Sequence, residues 1–404
     1  MNTESWLTKL FDETFTFPVS FIDENGKETT FGKDKTGPAV TVTLHDAFSL
    51  KEMMKKGVSL YLGEAYMEGR VDVEGEDRPL QRLIASGYRL ADKVMANPML
   101  SKLFPKAKNR RHSHSAKENK EDIHNHYDIS NDFYKLWLDD TMTYSCAYFE
   151  SKEDSLTQAQ KNKVHHILKK LNPQPHKRLL DIGCGWGTLM LTACEEYDLN
   201  VTGITLSEEQ YHYVSQQIKE RHLEDRATVI LEDYRELDTE PFDYITSVGM
   251  FEHVGSQELP NYFRIIHDDL ADDGVALIHG ITRQQGGATD AWLDKYIFPG
   301  GYVPGLVEIM EDIVAAPLQI ADVETLRRHY QRTLEIWDDN FRKVEDQVRA
   351  MGKDTTFIRM WDLYLQACAA SFEAGNIDCI QYLITKQPSG QHLPMTRDYM
   401  YHNE

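Results

Sequence analysis

Three glycines at alternate positions, Gly183, Gly185 and Gly187, follow the apolar run Leu179-Leu180-Asp181-Ile182 and precede helical spacing that opens at Thr188. This order of strand, glycine loop and helix constrains the chain more than any other stretch. A backbone without Cβ atoms turns sharply into a helix and lets a ligand approach its amides. The flanking sequence extends the pattern. Short apolar segments at Arg178–Ile182, Asn200–Thr205, Ala227–Leu231, Phe242–Val248 and Gly274–Ile281 read as strands, alternating with helical segments such as Thr188–Glu196 and Ser207–Arg221. Such alternation predicts an α/β fold, a parallel sheet with helices on both faces. From Val323 to Ala374 the spacing is helical, and Ile380–Lys386 reads as a closing strand.

Upstream, Pro18–Ile22 and Val40–Leu44 flank a turn at Asn25-Gly26, and helical spacing covers Leu80–Met95. These predict a small α+β domain over residues 1–96. Residues 97–120 hold seven Lys or Arg against one acidic residue, with Pro98 and Pro105, and read as a basic linker. Residues 121–404 are left as the catalytic domain. A chain of 404 residues exceeds one ordinary domain, so this division fits its length. The net charge of -21 argues against a nucleic-acid partner, whose binding rests on phosphate neutralisation. Apolar runs such as Val275–Ile278 are far shorter than the ~18 to 20 residues that span a bilayer. The N-terminus lacks the basic start and apolar run of a secretory signal. The five cysteines, 146, 184, 194, 368 and 379, include no CxxC pair and no ligand spacing, so a reducing cytoplasm is expected and no metal site.

The loop reads GxGxG rather than GxGxxG, which points away from a dinucleotide. The acidic residue that normally holds ribose hydroxyls after the second strand is missing, because that strand ends Gly203-Ile204-Thr205-Leu206-Ser207. Another group must serve there, such as Gln210.

The phrase LDIGCGWG resembles the first motif of S-adenosylmethionine (SAM)-dependent methyltransferases. Further phrases follow in order: HYDISNDFY from His126, TYSCAYF from Thr143, GITLS from Gly203, GMFEHVG from Gly249, FPGG from Phe298 and His329-Tyr330. Together they resemble the cyclopropane-fatty-acyl-phospholipid synthases and the related mycolic acid cyclopropane synthases over about residues 124–386. GEAYMEG at Gly63–Gly69 resembles them more weakly. The resemblance implies a Rossmann-like class I SAM-dependent methyltransferase domain with a mostly parallel seven-stranded sheet, beside the small N-terminal domain. It implies SAM contacts at Tyr144, Ser145, Gly183, Gly185, Gly187, Thr205, Leu206, Gln210 and Tyr234, with Asp233 facing the adenine amine. It further implies that Cys146, Glu252, His279, Ile281 and Tyr330 hold a bicarbonate ion, pinned by the backbone N–H groups of Cys146 and Ile281. One departure is Gly280, where many relatives have Thr.

The implied reaction adds a methylene across a cis alkene of a phospholipid acyl chain, so the site must shelter a cation and supply a base. Aromatic faces suit the first task, and Tyr127, Phe133, Tyr134, Tyr144, Tyr148 and Tyr330 are candidates, although aromatic residues at this density are commonly core. A small anion held by fixed donors suits the second, since a carboxylate in an apolar tunnel ionises reluctantly. The resemblance also implies a homodimer, peripheral on the inner leaflet of the membrane. A lipid methyltransferase giving a branch or hydroxyl, and a non-catalytic lipid-binding protein, are the alternatives.

Overall fold

The computed structural model describes residues 9, 11–34, 36, 38–96, 131–387, 390 and 392–401. The basic stretch 97–120, and Tyr127 within its motif, lie outside them. Of the described residues, those within 1–109, 290–299 and 334–376 form one compact unit, and those within 110–289, 300–333 and 377–404 form another.

The first unit contains a four-stranded sheet of β1 (Val19–Ile22), β2 (Glu28–Phe31), β3 (Val40–Leu44) and β4 (Val71–Gly75), in the order β2-β1-β3-β4. The β1–β2 hairpin turns at Gly26, whose φ of 80° suits glycine, and Asp23 Oδ1 accepts from the N–H groups of Asn25 and Lys27. Phe15, Phe17, Val19, Val40, Val42, Ala65 and Val71 form its core. The helices Val58–Met67, Pro79–Ala96 and Thr355–Ala374 belong to this unit. Residues 290–299 and 334–376, which the sequence reading assigns to the catalytic domain, thus belong to the first unit.

Within the GEAYMEG phrase, Glu64 is buried and accepts from Lys56 Nζ and Lys295 Nζ, each at 2.7 Å, and from the Tyr296 hydroxyl at 3.1 Å. Gly63 admits the Trp292 ring: a Cβ there would sit 2.3 Å from Trp292 Cδ1.

The second unit carries the expected sheet. β5 (Arg178–Ile182), β6 (Asn200–Thr205), β7 (Ala227–Leu231) and β8 (Phe242–Val248) coincide with the strands read from the sequence. β9 (Leu270–Thr282) starts four residues before the expected strand. After the two-residue strands β10 (Gly287–Ala288) and β11 (Tyr302–Val303) come β12 (Leu318–Thr325) and β13 (Asp378–Lys386). The seven-stranded order is β12-β13-β9-β8-β5-β6-β7, parallel from β9 to β7, with β13 antiparallel to both β9 and β12.

Strand alternation divides the core into two layers. Leu179, Val275, Leu277 and Leu383 join one hydrophobic cluster, while their neighbours Leu180, Ala276, Ile278, Tyr382 and Ile384 join the other. Helices Leu156–Leu171 and Thr188–Glu196 supply the first layer, and Leu259–Asp269 and Leu306–Ala315 the second.

The helical reading from Val323 is corrected at its start, where β12 runs through Thr325 as an edge strand. A register shift between Ile320 and Asp322 breaks the two-residue period that would have marked it. The buried Asp322 carboxylate accepts from Lys170 Nζ at 3.3 Å and Arg397 Nε at 2.6 Å.

Candidate active site

Gly183, Gly185 and Gly187 have φ of 76°, 56° and 83°, a left-handed path closed to most side chains. The N–H groups of Gly183 and Cys184 both donate to the Ile204 carbonyl at 3.0 Å, tying the loop to the end of β6. The loop floors an open cleft of about 1240 Å³, solvent at its mouth included, whose lining also takes in Tyr144, Ser145, Lys163, Asp181, Thr205, Leu206, Gln210 and Tyr234. Eight of the nine residues expected to contact SAM therefore line one pocket. Gly187 is the ninth, and it caps the helix behind the loop.

Gln210 is buried, and the Thr205 hydroxyl donates to its Oε1 at 2.8 Å. Asp233 also lines the pocket, but Arg235 grips both carboxylate oxygens, with Nε to Oδ1 at 2.8 Å and Nη2 to Oδ2 at 2.6 Å. Its carboxylate is thus held in place at the pocket wall where an adenine amine was expected.

Two charged groups in the pocket were not singled out from the sequence. Lys163, from the helix Leu156–Leu171, is buried and donates to Ser145 Oγ at 2.8 Å; burial pulls its pKa down to about 8. Asp181, in the motif itself, accepts from Thr246 Oγ1 at 2.9 Å, and burial pushes its pKa up to about 7. A buried Lys in the middle of a mixed helix carries no local signature, because only the tertiary packing points it inward.

The five residues expected to hold an anion gather beside this pocket. Glu252 stands on the short helix Phe251–His253. The Ile281 N–H donates to its Oε1 at 2.7 Å, so this amide is taken by Glu252 rather than open to an anion. Glu252 Oε2 is buried without a hydrogen-bond partner, and burial raises the carboxyl pKa to about 7. His279, on β9, is buried, and its pKa falls to about 3 under burial and the charges of Lys163 and Lys170. Gln381 Nε2 lies 3.2 Å from His279 Nδ1 and Cys379 Sγ lies 3.1 Å from Nε2. With an amide nitrogen opposite, Nδ1 accepts and Nε2 carries the ring hydrogen. Cys146 is fully buried. The buried Tyr330 hydroxyl is raised well above its usual pKa by burial and by the nearby Cys379, Cys146, Tyr144 and Glu252.

Of the aromatic candidates, Phe133, Tyr134 and Tyr144 cluster with Trp137, and Tyr134 reaches Trp186 at 5.8 Å between ring centroids. Tyr148 is different. Its ring lies between His166 at 4.1 Å and His329 at 4.7 Å, both stacked, so neither face is left for a substrate cation. Gly280 also finds its reason: a Cβ there would sit 2.4 Å from Phe251 Cζ, so the ring beside Glu252 occupies that space.

The sheet order and glycine-loop pocket define the class I SAM-dependent methyltransferase fold, and a coclaurine N-methyltransferase structure at 21% identity and TM-score 0.65 shares it. Residues 114–382 match the model of the mycolic acid cyclopropane synthetase family, and the chain belongs to that family. Residues 6–99 match a domain of unknown function. A probable fatty acid methyltransferase of Pseudomonas putida is 37% identical over 373 residues, covering 90% of this chain and 92% of its own. Cyclopropane mycolic acid synthase 3 of Mycobacterium tuberculosis is 38% identical over 275 residues, 65% of this chain and 95% of its own. The structure of mycolic acid cyclopropane synthase CmaA1 complexed with SAH and CTAB superposes with a TM-score of 0.63 at 36% identity, over 66% of this chain and 98% of that one.

Proposed function

We propose that this chain transfers a methylene from SAM to the cis double bond of unsaturated acyl chains of membrane phospholipids, forming a cyclopropane ring, with bicarbonate as general base. The observation that carries the reading is the adjacency, in one unit, of the loop pocket and the buried cluster around Glu252 and Tyr330. Tyr144 lines the loop pocket and also acts on Tyr330, whose other neighbours are Cys146, Cys379 and Glu252. A nucleoside co-substrate and a proton acceptor thus have adjoining places.

The residues fit both groups. Tyr144, Ser145, Gly183, Gly185, Thr205, Leu206, Gln210 and Tyr234 would hold SAM, with Gln210 toward the ribose and Gly187 setting the helix behind the loop. The unpartnered Glu252 Oε2, the neutral His279 and the Tyr330 hydroxyl suit a small oxyanion. When bound, SAM supplies the methyl carbon and bicarbonate accepts the proton that leaves it. Glu252, fixed at Oε1 by Ile281, keeps Oε2 for a shared proton and titrates where it can hold or release one near neutrality. The rings of Phe133, Tyr134 and Tyr144 exclude water that would trap a carbocation as an alcohol, and a ring face stabilises a cation by roughly 0.5 to 2 kcal/mol.

The same reading makes the protein a peripheral homodimer on the inner leaflet. Among the described residues no helix is long and apolar enough to cross a membrane. The basic stretch 97–120 would supply attraction to anionic lipid, ~1 kcal/mol for each charge near the surface.

The test is mass spectrometry of monounsaturated phospholipid vesicles after incubation with SAM. A gain of one CH2 with loss of the alkene is expected. One CH2 with the alkene retained would make this a branching methyltransferase, and unchanged lipid despite stoichiometric SAM binding would leave a lipid-binding protein.

A further inference from the structure

The geometry points to a second ligand for the cluster beside Glu252: a thiophilic divalent cation such as Zn2+, held by Cys146 Sγ, His279 Nε2 and Cys379 Sγ. The three residues span 233 positions of sequence and come from different elements. The antiparallel register of β9 and β13 pairs Ile281 with Cys379 and His279 with Gln381, which puts all four side chains on one face of the sheet. The irregular segment after Tyr144 brings Cys146 beside His279 and Cys379. The ligand atoms all lie within 4.8 Å of one another, and all three residues are buried.

Tetrahedral zinc, with bonds of ~2.3 Å to sulfur and ~2.0 to 2.1 Å to nitrogen, sets its ligands ~3.5 to 3.8 Å apart. His279 Nε2 and Cys379 Sγ are already 3.1 Å apart, so closure needs the longest separation to shrink by at most about 1 Å. Charge favours the same occupant. Two thiolates, a neutral imidazole and a divalent cation sum to zero, the only total that a buried apolar site accepts cheaply.

A ligating imidazole donates its other N–H to an acceptor. Gln381 Oε1 is buried without a partner, and turning the amide over places it opposite Nδ1, where it accepts that hydrogen and frees Nε2 for the metal. Three protein ligands leave a fourth position open. The cation would then engage Cys146 and His279, so it would shut the reaction down; this last clause rests on the proposed function, and the site itself does not.

The experiment uses the full-length protein, purified metal-free under reducing conditions and titrated with Co2+. A thiolate-to-cobalt charge-transfer absorption saturating at one equivalent is expected, displaced by Zn2+. Cys379→Val should at least halve the absorption, since one of two thiolates is lost, and weaken Zn2+ binding about 100-fold, at least the loss that follows removal of an outer-shell partner. Cys379→Ser, which keeps the volume, should reduce the absorption likewise, and Cys368→Val should retain it in full. No absorption at one equivalent, or one undiminished in both Cys379 variants, overturns the site. In the activity arm, stoichiometric Zn2+ should inhibit the wild type and a chelator restore it, each variant being compared with its own metal-free rate. Full absorption without inhibition would uphold the metal site and overturn only its link to the reaction.

Discussion

The Ile281 backbone N–H donates to Glu252 Oε1 at 2.7 Å and leaves Oε2 buried and unpartnered. One oxygen is structural and the other is available for chemistry. In Glu252→Gln the amide oxygen still accepts from Ile281, so the melting temperature and SAM affinity should stay near wild type. Turnover should fall about 10²- to 10⁴-fold, the usual worth of a positioned acid–base group. Excess bicarbonate should restore part of it. A variant with wild-type turnover would remove Glu252 from the mechanism.

Burial penalises the charged form of Glu252, so it is half ionised at about 7 instead of near 4.5. Since the ionised form is the one that can take up a proton, activity should rise as pH increases through about 7. The kcat/KM profile of Glu252→Gln should lack this limb. If the limb persists there and disappears in Asp181→Asn, the titrating group is Asp181, which also sits at about 7.

The Thr205 hydroxyl holds Gln210 Oε1 at 2.8 Å in the loop pocket. Gln210→Ala should raise the SAM dissociation constant by ~1 to 2 kcal/mol, a factor of roughly 5 to 30, with little change in stability. Calorimetry measures this directly, and an unchanged constant would put the ribose contact on another residue.

Gly280 leaves no room for a side chain, because the Phe251 ring would meet its Cβ at 2.4 Å. Gly280→Thr should cost ~1 to 3 kcal/mol by overpacking. Adding Phe251→Leu should recover part of that loss in thermal denaturation. Equal stability of Gly280→Thr and wild type would mean that the ring moves freely.

In the first unit, hydrogen bonds from Lys295 and Lys56 depress the Glu64 pKa to about 2. A carboxylate depressed in the folded state contributes stability that is fully present above the unfolded value of about 4.5 and is lost as pH falls through about 2. Glu64→Gln should therefore be less stable than wild type at neutral pH, with the gap closing between those values. Denaturant titrations at several pH values measure it, and a gap that does not vary with pH would count against the ion pairs.

The sequence by itself determined the strand–loop–helix core of the second unit. Local signals carried it: the apolar run from Leu179 to Ile182, the three glycines that only a left-handed turn explains, and apolar segments of strand length between helical ones. It also brought the pocket residues into view, since most of them stand at the ends of those strands or on the loop itself. Tertiary structure decided what no local period records. The shift between Ile320 and Asp322 hid β12, and Asp233 was already gripped by Arg235. Lys163 reaches the pocket only because its helix lies on the sheet, and Cys379 meets His279 and Cys146 only because β13 pairs with β9 in one register. Periodicity is set by neighbours a few residues apart, whereas such meetings depend on strand pairing and packing across hundreds of residues, where one step of register would turn every side chain to the other face.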